Sequence, residues 1–224
     1  MRMADELEEA PDFTHAVNEL IRRMLRQHKR IIFNGNGYDQ AWVEEAERRG
    51  LSNLRTTVDA LPHYVDEKNI AVFERQHVYS RLEVQSRYEV KLENYVKIID
   101  IEALSALDIA RRLILPACIA FMGEMAGALA AKKAVLPTLA CRAEEALVQR
   151  LSDHTQTLHE NIEALDQALA AMDASAPMLH QAQYVRDAVI PAMNAVRAEA
   201  DVLETMVSAK HWPMPNYQAI LTSI

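Results

Sequence analysis

The chain has 224 residues, of which half are hydrophobic and only 5 are glycine and 8 proline, and its formal net charge is −8. The acidic balance argues against a broad nucleic-acid or anionic-membrane footprint, because both partners require clustered cationic charge. Few helix-breaking residues and a 6% aromatic content favour long helices over many short strands. We therefore expect a mainly all-α protein, a long-helix bundle with a coiled-coil-like antiparallel hairpin and at most one short strand near residues 30–33.

The first third of the sequence predicts short helices separated by turns. Pro11 and Asp12 are typical of a helix N-terminus, and the helix that they open ends in a cationic cluster. The cluster comprises Arg22, Arg23, Arg26, His28 and Lys29. We interpret it as a solvated helix end in preference to an anion site. Asp39 and Gly50 bound a second predicted helix, and a third spans about residues 66–76.

A glycine-rich turn, Asn34-Gly35-Asn36-Gly37, follows the apolar run Ile31-Ile32-Phe33. A dinucleotide fingerprint requires a third glycine where this sequence has Gln40, and no Gly-Lys-Ser/Thr motif follows for a phosphate loop. Asn-Gly pairs suit positive φ, so the residues favour a structural turn over a nucleotide site.

The longest periodic stretch begins at a capping box formed by Ser80 and Glu83. Apolar residues then recur every three or four positions from Tyr88 to Met125, which predicts a helical rod. Pro116 is expected to kink this rod or to split it in two, and the apolar positions that continue in phase beyond it favour a kink. We expect no apolar run near the ~20 residues of a membrane span, and the acidic N-terminus predicts no signal peptide.

A strict three-four spacing of apolar residues predicts an antiparallel helical hairpin in the last third of the chain. The outgoing seam consists of Val148, Leu151, Thr155, Leu158, Ile162, Leu165, Leu169 and Met172. The returning seam consists of Val185, Val189, Ala192, Val196, Ala200, Leu203 and Val207. Ser175-Ala176-Pro177 is the predicted turn, and Pro191 is expected to bend the return helix. Trp212 and Tyr217 of an extended tail are expected to dock.

Two histidines are candidate metal ligands. His159 and Glu163 resemble part of a zinc-binding helix, but the place of the second histidine is occupied by Glu163 itself. We interpret the two as a hydrogen-bonded surface pair. His154 lies about 140° around the helix from His159, so the two do not easily share an ion.

Nucleophiles and acid pairs give no catalytic pattern either. Cys118 and Cys141 are predicted to be buried, reduced thiols. Adjacent acids such as Glu44-Glu45 and Glu144-Glu145 diverge by ~100° on a helix, which predicts solvated faces. The residues therefore support no catalytic, cofactor-binding or metal assignment.

Several long segments resemble one enzyme family. Residues 28–62, HKRIIFNGNGYDQAWVEEAERRGLSNLRTTVDALP, strongly resemble a stretch found late in type III glutamine synthetases, a large form found in many bacteria. The likeness continues through SRYEVKLENYVKIIDIEAL (86–104) and ILPACIAF (114–121). HWPMPNYQAIL (211–221) resembles the family's Trp-Pro-x-Pro-x-Tyr finish, so the resemblance covers essentially the whole chain after Met3.

This resemblance implies the C-terminal portion of an ATP-dependent glutamate–ammonia ligase. Such enzymes use ATP to phosphorylate the side-chain carboxylate of glutamate, and ammonia then displaces the phosphate, while Mg²⁺ or Mn²⁺ neutralises the negative charge of the phosphates. The motifs that hold ATP and metal precede the region represented here. The resemblance therefore implies no catalytic, cofactor-binding or metal residue in this chain, and a fragment or shortened reading frame that is inactive alone.

The resemblance also implies an organisation. Residues 1–62 would be the C-terminal edge of the catalytic domain, and residues 63–224 the helical C-terminal extension of the type III family. We expect a cytoplasmic homo-oligomer, a dodecamer in the family, that contacts the rest of the synthetase chain, with no nucleic acid and no membrane. The expected role is fold stability and oligomer assembly; the alternative is a free-standing helical interaction or scaffold module without catalysis.

Overall fold

A computed structural model of the chain describes residues 2–215 and 217–222. It divides into two compact units, Met1–Arg55 and Thr56–Ile224. The predicted domain boundary after residue 62 stays a prediction. All regular secondary structure within the described residues is helical, as the composition predicted, and none of it is a strand.

The first unit contains three helices and little core. They are α1 (Arg2–Glu8), α2 (Phe13–Gln27) and α3 (Gln40–Arg48), with a 3₁₀ turn at Lys29–Ile31. This turn overlaps residues 30–33, where the sequence was expected to form at most one short strand. Helix α1 was not predicted. Leu20 and Ala46 are the buried apolar residues among those described in this unit.

The predicted ends of these helices are confirmed. The Asp12 carboxylate caps α2 by accepting a hydrogen bond from the backbone N–H of His15 at 3.0 Å. Helix α3 follows Asp39 and stops at Gly50, whose φ of +73° is readily adopted by glycine alone. The Gly50 N–H then bonds the Glu47 carbonyl at 2.9 Å, which closes the helix end.

The second unit consists of long helices joined by short turns. They are α4 (Thr57–Ala60), α5 (Glu67–Arg75), α6 (Arg81–Ile109), α7 (Leu115–Val135), α8 (Arg142–Ala170), α9 (Met178–Tyr184), α10 (Ile190–Glu204) and α11 (Tyr217–Thr222), with a 3₁₀ turn at Leu61–Val65. The predicted capping box opens α6, since Ser80 and Glu83 each satisfy the other's backbone N–H.

Two prolines, Pro116 and Pro191, lie inside long helical stretches, and each follows a π-helical turn. Ala110–Ile114 joins α6 to α7 before Pro116, and Val185–Val189 joins α9 to α10 before Pro191. Proline lacks an N–H and its ring collides with the carbonyl four residues earlier, so a wider turn relieves the collision without ending the helix. The prediction that the rod continues through Pro116 is confirmed; the bends expected at Pro116 and Pro191 stay predictions.

The hairpin seams form the core of the second unit. Helix α8 packs against α7 on one side and α10 on the other. The buried seam residues of α8 are Leu151, Thr155, Leu158, Ile162 and Leu165. They meet Val185, Val189, Val196, Ala200, Leu203 and Val207 of the returning arm. The predicted antiparallel hairpin is therefore confirmed.

One membrane expectation was wrong. The continuous helical stretch Arg81–Val135 is 55 residues long and contains an 18-residue window of mean hydropathy 1.8, long and apolar enough to span a membrane by length and composition. Between Arg112 and Lys132 the sequence has a single charged residue, Glu124. Only 17% of the window is buried. A three-four spacing of apolar residues describes one helix face, whereas nearly every position between Arg112 and Lys132 is apolar, so the spacing alone does not reveal this window.

The tail is ordered by Trp212, which packs against the core as predicted. The Ser208 hydroxyl pairs with Nδ1 of His211 at 2.9 Å, and Nε2 of His211 lies 3.1 Å from the Glu124 carboxylate on α7. The tail is not extended throughout, because it ends in the short helix α11. The expected docking of the Tyr217 side chain lies outside the described residues.

Candidate functional site

The glycine turn is organised by Arg49 at the end of α3. Its guanidinium donates to the carbonyls of Arg30 at 3.0 Å and Ile32 at 2.5 Å, and it lies 6.0 Å from the Phe33 ring centroid. The Phe33 ring in turn packs on Trp42, with centroids 4.5 Å apart. The Arg49 guanidinium is thus occupied by backbone carbonyls of the segment that enters the turn.

Of the two glycines in the turn, Gly35 serves packing, whereas a Cβ on Gly37 would meet no described atom within 4 Å. A Cβ on Gly35 would lie 2.5 Å from Cζ of Phe33, so the aromatic ring takes the space that a side chain would fill. The side-chain oxygen of Asn36 accepts from the Tyr38 N–H at 3.1 Å, a local turn contact. These contacts agree with the interpretation of a structural turn. The positive φ expected of the Asn-Gly pairs was wrong, because Gly50 and His77 are the residues with positive φ among those described.

The cationic cluster at the end of α2 is exposed and partly neutralised. Arg23 makes two hydrogen bonds to Glu6, at 2.8 and 2.5 Å, and Arg22 pairs with Glu19 at 2.5 Å. The bond from Arg23 lowers the pKa of Glu6. This arrangement supports a solvated helix end, as predicted.

The predicted pair of His159 and Glu163 was wrong. Glu163 instead accepts from Arg111 at 3.2 Å, and Arg111 also binds Asp166 at 2.8 Å. These bonds, Asp166 first, raise the pKa of Arg111. A cation on the neighbouring helical arm competes better for a carboxylate than a histidine on the same helix does, and intrahelical spacing does not reveal that neighbour.

His154 points toward α10, where its Nδ1 lies 2.8 Å from the Glu199 carboxylate. Within residues 2–215 and 217–222, no group of three or more His, Cys, Asp or Glu side chains comes together in a way that would hold a metal ion.

Cys118 and Cys141 are both buried and unpaired, as predicted. Burial raises the pKa of the Cys118 thiol to about 11. A thiol held protonated at neutral pH is a poor nucleophile, so Cys118 fills core volume.

The acidic pairs differ from one another in their surroundings. Glu45 pairs with Arg48 and Arg49 within α3, and these bonds lower its pKa. The prediction that Glu144 and Glu145 form only a solvated face was incomplete. Glu144 forms an ion pair with Lys132 and Glu145 with Lys133, and both lysines lie at the end of α7.

Arg186 is a polar residue that the sequence analysis missed. It bonds Asp187 at 2.6 Å and Asp59 of α4 at 2.5 Å, which ties the short helix to the returning arm. The contacts raise the pKa of Arg186, chiefly through Asp187. The Asp59 contact spans 127 residues of sequence, so no local pattern signals it.

An apolar cleft lies between the α6–π-turn junction and α10, with the tail as one wall. Its volume is about 560 Å³, and Ile109, Ile114, Val196 and Trp212 contribute to its lining. Nε1 of Trp212 is buried and finds no acceptor in the described part of the chain.

An uncovered apolar surface runs along α6 and α7, and we call it the outer face. Its members are Val90, Ile98, Ile101, Leu104, Leu113, Pro116, Ile119, Ala120, Gly123, Gly127 and Ala130, all exposed. Ile101 is 63% exposed and Ile119 51%. A Cβ added to Gly123 or Gly127 would meet no described atom within 4 Å. Such a face suits contact with another apolar surface rather than chemistry.

Comparison with known proteins identifies relatives over nearly the whole chain. Residues 16–133 match the family described as glutamine synthetase C-terminal domain. A glutamine synthetase of Butyrivibrio fibrisolvens is 31% identical over 220 residues, which cover 98% of this chain and 31% of that protein. A type-3 glutamine synthetase of Dictyostelium discoideum is 36% identical over 92% of this chain and 29% of its own length. A glutamine synthetase of Bacteroides fragilis is 25% identical over 96% and 30%. The chain thus spans about three tenths of the length of these relatives.

Proposed function

Since the chain belongs to the glutamine synthetase C-terminal domain family, we propose that it is the C-terminal portion of a type III, ATP-dependent glutamine synthetase. The observation that carries the proposal is similarity over 92% of this chain to a protein named type-3 glutamine synthetase. The parent enzyme would make glutamine from glutamate, ammonia and ATP, with Mg²⁺ or Mn²⁺ held by residues outside this chain.

The role proposed for this portion is stability of the fold and assembly of the oligomer. Its support is the long α6–α7 rod, the tightly packed hairpin of α8 and α10, and the uncovered outer face. Rigid paired helices with extended apolar faces are suited to contacts between subunits. We further propose a cytoplasmic homo-oligomer, the dodecamer implied by the resemblance.

The first unit is proposed to belong to the edge of the catalytic domain, with residues 1–62 as that edge and residues 63–224 as the extension. Its support is the small core of Met1–Arg55, because so few buried apolar residues do not stabilise a unit of that size alone. Phe13, Ile21 and Leu25 on α2 are at least half exposed, which suits a covering surface in the parent.

The proposal is tested with a full-length chimera. The matching C-terminal residues of the Dictyostelium relative are replaced by this chain, and the purified enzyme is assayed for ATP-dependent glutamine synthesis and sized by sedimentation. We expect activity and an oligomer of the relative's size. A matched chimera carrying Leu158→Asp in the hairpin seam, or lacking residues 140–210, is expected to lose assembly. Unchanged assembly in both altered chimeras would contradict the assembly role.

A second candidate is a free-standing scaffold module. It is favoured by one observation, the continuous core of the Thr56–Ile224 unit. The DNA upstream of the first codon distinguishes the two candidates. An in-frame sequence that encodes a catalytic half would support the synthetase, whereas stop codons in every frame would support the free-standing scaffold module.

A further inference from the structure

The turn Asn34-Gly35-Asn36-Gly37 carries two copies of a chemically reactive dipeptide, and all four residues are exposed. Asparagine is a thermolabile residue, because the main-chain nitrogen of the next residue can attack its side-chain amide carbon. Glycine makes that attack easiest, since it has no side chain to shield the nitrogen or to restrict its approach. The sequence alone does not distinguish the two pairs, whereas the structure does.

We propose that Asn36 is a site of spontaneous deamidation and isomerisation, and that the fold protects Asn34. The Gly37 nitrogen loses its proton to solvent and forms a bond to Cγ of Asn36. The bond from Cγ to Nδ2 then breaks, and the leaving nitrogen takes a proton from water and departs as ammonia. A second water opens the resulting succinimide ring at either carbonyl carbon, which gives aspartate or isoaspartate. The net reaction hydrolyses one amide and involves no oxidation, and it is independent of the function proposed above.

The attacking nitrogen of Gly37 is unhindered. Its N–H donates no hydrogen bond to any other described residue. A Cβ built on Gly37 would meet no described atom within 4 Å, so the space around this part of the main chain is open. The nitrogen is therefore free to lose its proton and to turn toward the side chain of Asn36.

The side chain of Asn36 is positioned and polarised by the main chain of Tyr38. Its Oδ1 accepts a hydrogen bond from the Tyr38 N–H at 3.1 Å, which folds the side-chain amide back over its own turn. Negative charge develops on this oxygen when a nitrogen attacks Cγ. A backbone N–H that already points at the oxygen stabilises that charge, as the donors of an oxyanion hole do.

Asn34 precedes the same residue type but lacks the same freedom. A Cβ on Gly35 would lie 2.5 Å from Cζ of Phe33, so the aromatic ring lies directly against this glycine. The ring itself packs on Trp42, with centroids 4.5 Å apart. To turn the Asn34–Gly35 peptide toward the Asn34 side chain, the two rings would have to separate. The packing therefore slows the reaction at this position.

Modification of Asn36 loosens the start of α3. The Asn36 carbonyl accepts a hydrogen bond from the Asp39 N–H at 3.2 Å, and Asp39 is the residue before α3. In isoaspartate the main chain runs through Cβ and Cγ, and the former main-chain carbonyl becomes a free carboxylate. Neither this bond nor the bond to Tyr38 keeps its acceptor in place. The product also carries one more negative charge, so ion exchange separates it from the parent chain.

The first test incubates the native chain at mildly alkaline pH and body temperature for several weeks. The tryptic peptide 31–48 contains both asparagines, and tandem mass spectrometry assigns the mass change to each of them. We expect Asn36 to react at least about fivefold faster than Asn34 in the folded chain, but at a similar rate in guanidinium, where the rings no longer cover Gly35. A sample digested before incubation corrects for modification during handling. Equal rates in the native chain, or no reaction at Asn36, would overturn the proposal.

The second test uses Gly37→Ala to shield the nitrogen without disturbing the turn. The added Cβ meets open space, and the φ of Gly37 is not positive. We expect the reaction at Asn36 to slow at least about fivefold, with an unchanged circular dichroism spectrum. Asn34→Gln is the matched control, because it removes the protected asparagine and should leave the rate at Asn36 unchanged. A Gly37→Ala chain that deamidates like the parent would contradict attack by the Gly37 nitrogen.

The products provide the third test. Ring closure gives isoaspartate together with aspartate, whereas direct attack of water on the side-chain amide gives aspartate alone. An isoaspartyl methyltransferase should therefore label position 36 of the incubated chain, and an aspartate-only product would overturn the ring mechanism. In the acidic form purified by ion exchange, amide hydrogen exchange in the first turn of α3 should be faster than in the parent, and unchanged exchange would refute the loosening. None of these measurements involves glutamine synthesis, so their failure leaves the synthetase assignment standing.

Discussion

Thr155 lies in the seam of α8 with its hydroxyl buried. Replacing this hydroxyl tests whether the hairpin core excludes water and other hydrogen-bond partners. The residue is 7% exposed, and its Oγ1 has no hydrogen-bond partner in the described part of the chain. Thr155→Val keeps the shape of the side chain and exchanges the hydroxyl for a methyl group. The change therefore removes an unpaired polar atom from an apolar seam and breaks no described hydrogen bond.

The expected effect is stabilisation. Leaving a buried polar group unsatisfied costs about 1–3 kcal/mol, and valine recovers much of that. We expect the free energy of unfolding to rise by about 1–2 kcal/mol. For a chain of this size that corresponds to an increase in Tm of about 2–8 °C.

The measurement is urea unfolding of the purified chain, followed by circular dichroism at 222 nm and fitted to the transition of the Thr56–Ile224 unit. Thr157→Val is the matched control, because the Thr157 hydroxyl donates to the Asp153 carbonyl at 3.1 Å near the surface. The control should change stability by less than about 0.5 kcal/mol. If Thr155→Val destabilises the chain, or is no more stable than Thr157→Val, the Thr155 hydroxyl has a partner and the seam is not dry.

Four further predictions concern the core, a helix end and the thiols. Leu158→Ala should lower the free energy of unfolding by about 2–5 kcal/mol in the same urea assay, because Leu158 is fully buried. A loss below about 1 kcal/mol would show that the seam around Leu158 is not closely packed. Ser80→Ala should lower the free energy of unfolding by about 1 kcal/mol, because it removes the hydroxyl that caps α6 in the capping box with Glu83. Amide hydrogen exchange in the first turn of α6 should become faster, and unchanged exchange would refute the role of the box. Cys118 and Cys141 should not react with a disulfide reagent at neutral pH until the chain is unfolded in guanidinium, and rapid labelling of the native chain would contradict their burial. Because the pKa of Cys118 rises from 9.0 to about 11 on folding, the unfolded thiol loses its proton first, so the stability difference between the parent chain and Cys118→Ala should shrink as pH rises from 9 to 11.

Features set by neighbouring residues were predictable from the sequence. The Asp12 cap, the capping box at Ser80 and the glycine stop at Gly50 each depend on atoms within a few positions of one another. The hairpin seam was predictable for a related reason, since an unbroken three-four spacing defines one helix face over seven turns.

Features set by distant residues were not predictable. The bond from Arg186 to Asp59 and the capture of Glu163 by Arg111 depend on which helices become neighbours. The π-helical turns before Pro116 and Pro191 were missed because a proline in a periodic stretch is compatible with a bend, a break or a wider turn.

The outer face was overlooked for a different reason. Its small residues, Ala120, Gly123 and Gly127, contribute little to a periodicity of large apolar side chains. The signal that identifies it is the low charge of the helix between Arg112 and Lys132, where Glu124 is the one charged residue. This low charge becomes informative only once one side of the helix is known to be covered.

The most direct test of the account asks whether this chain performs chemistry by itself. The purified 224-residue chain is incubated with glutamate, ammonia, ATP and Mg²⁺ or Mn²⁺, and glutamine and phosphate are quantified alongside the active chimera. We predict no glutamine above the enzyme-free control, because the proposed function assigns the ATP and metal ligands to residues outside this chain. ATP-dependent glutamine formation by the isolated chain would contradict that account.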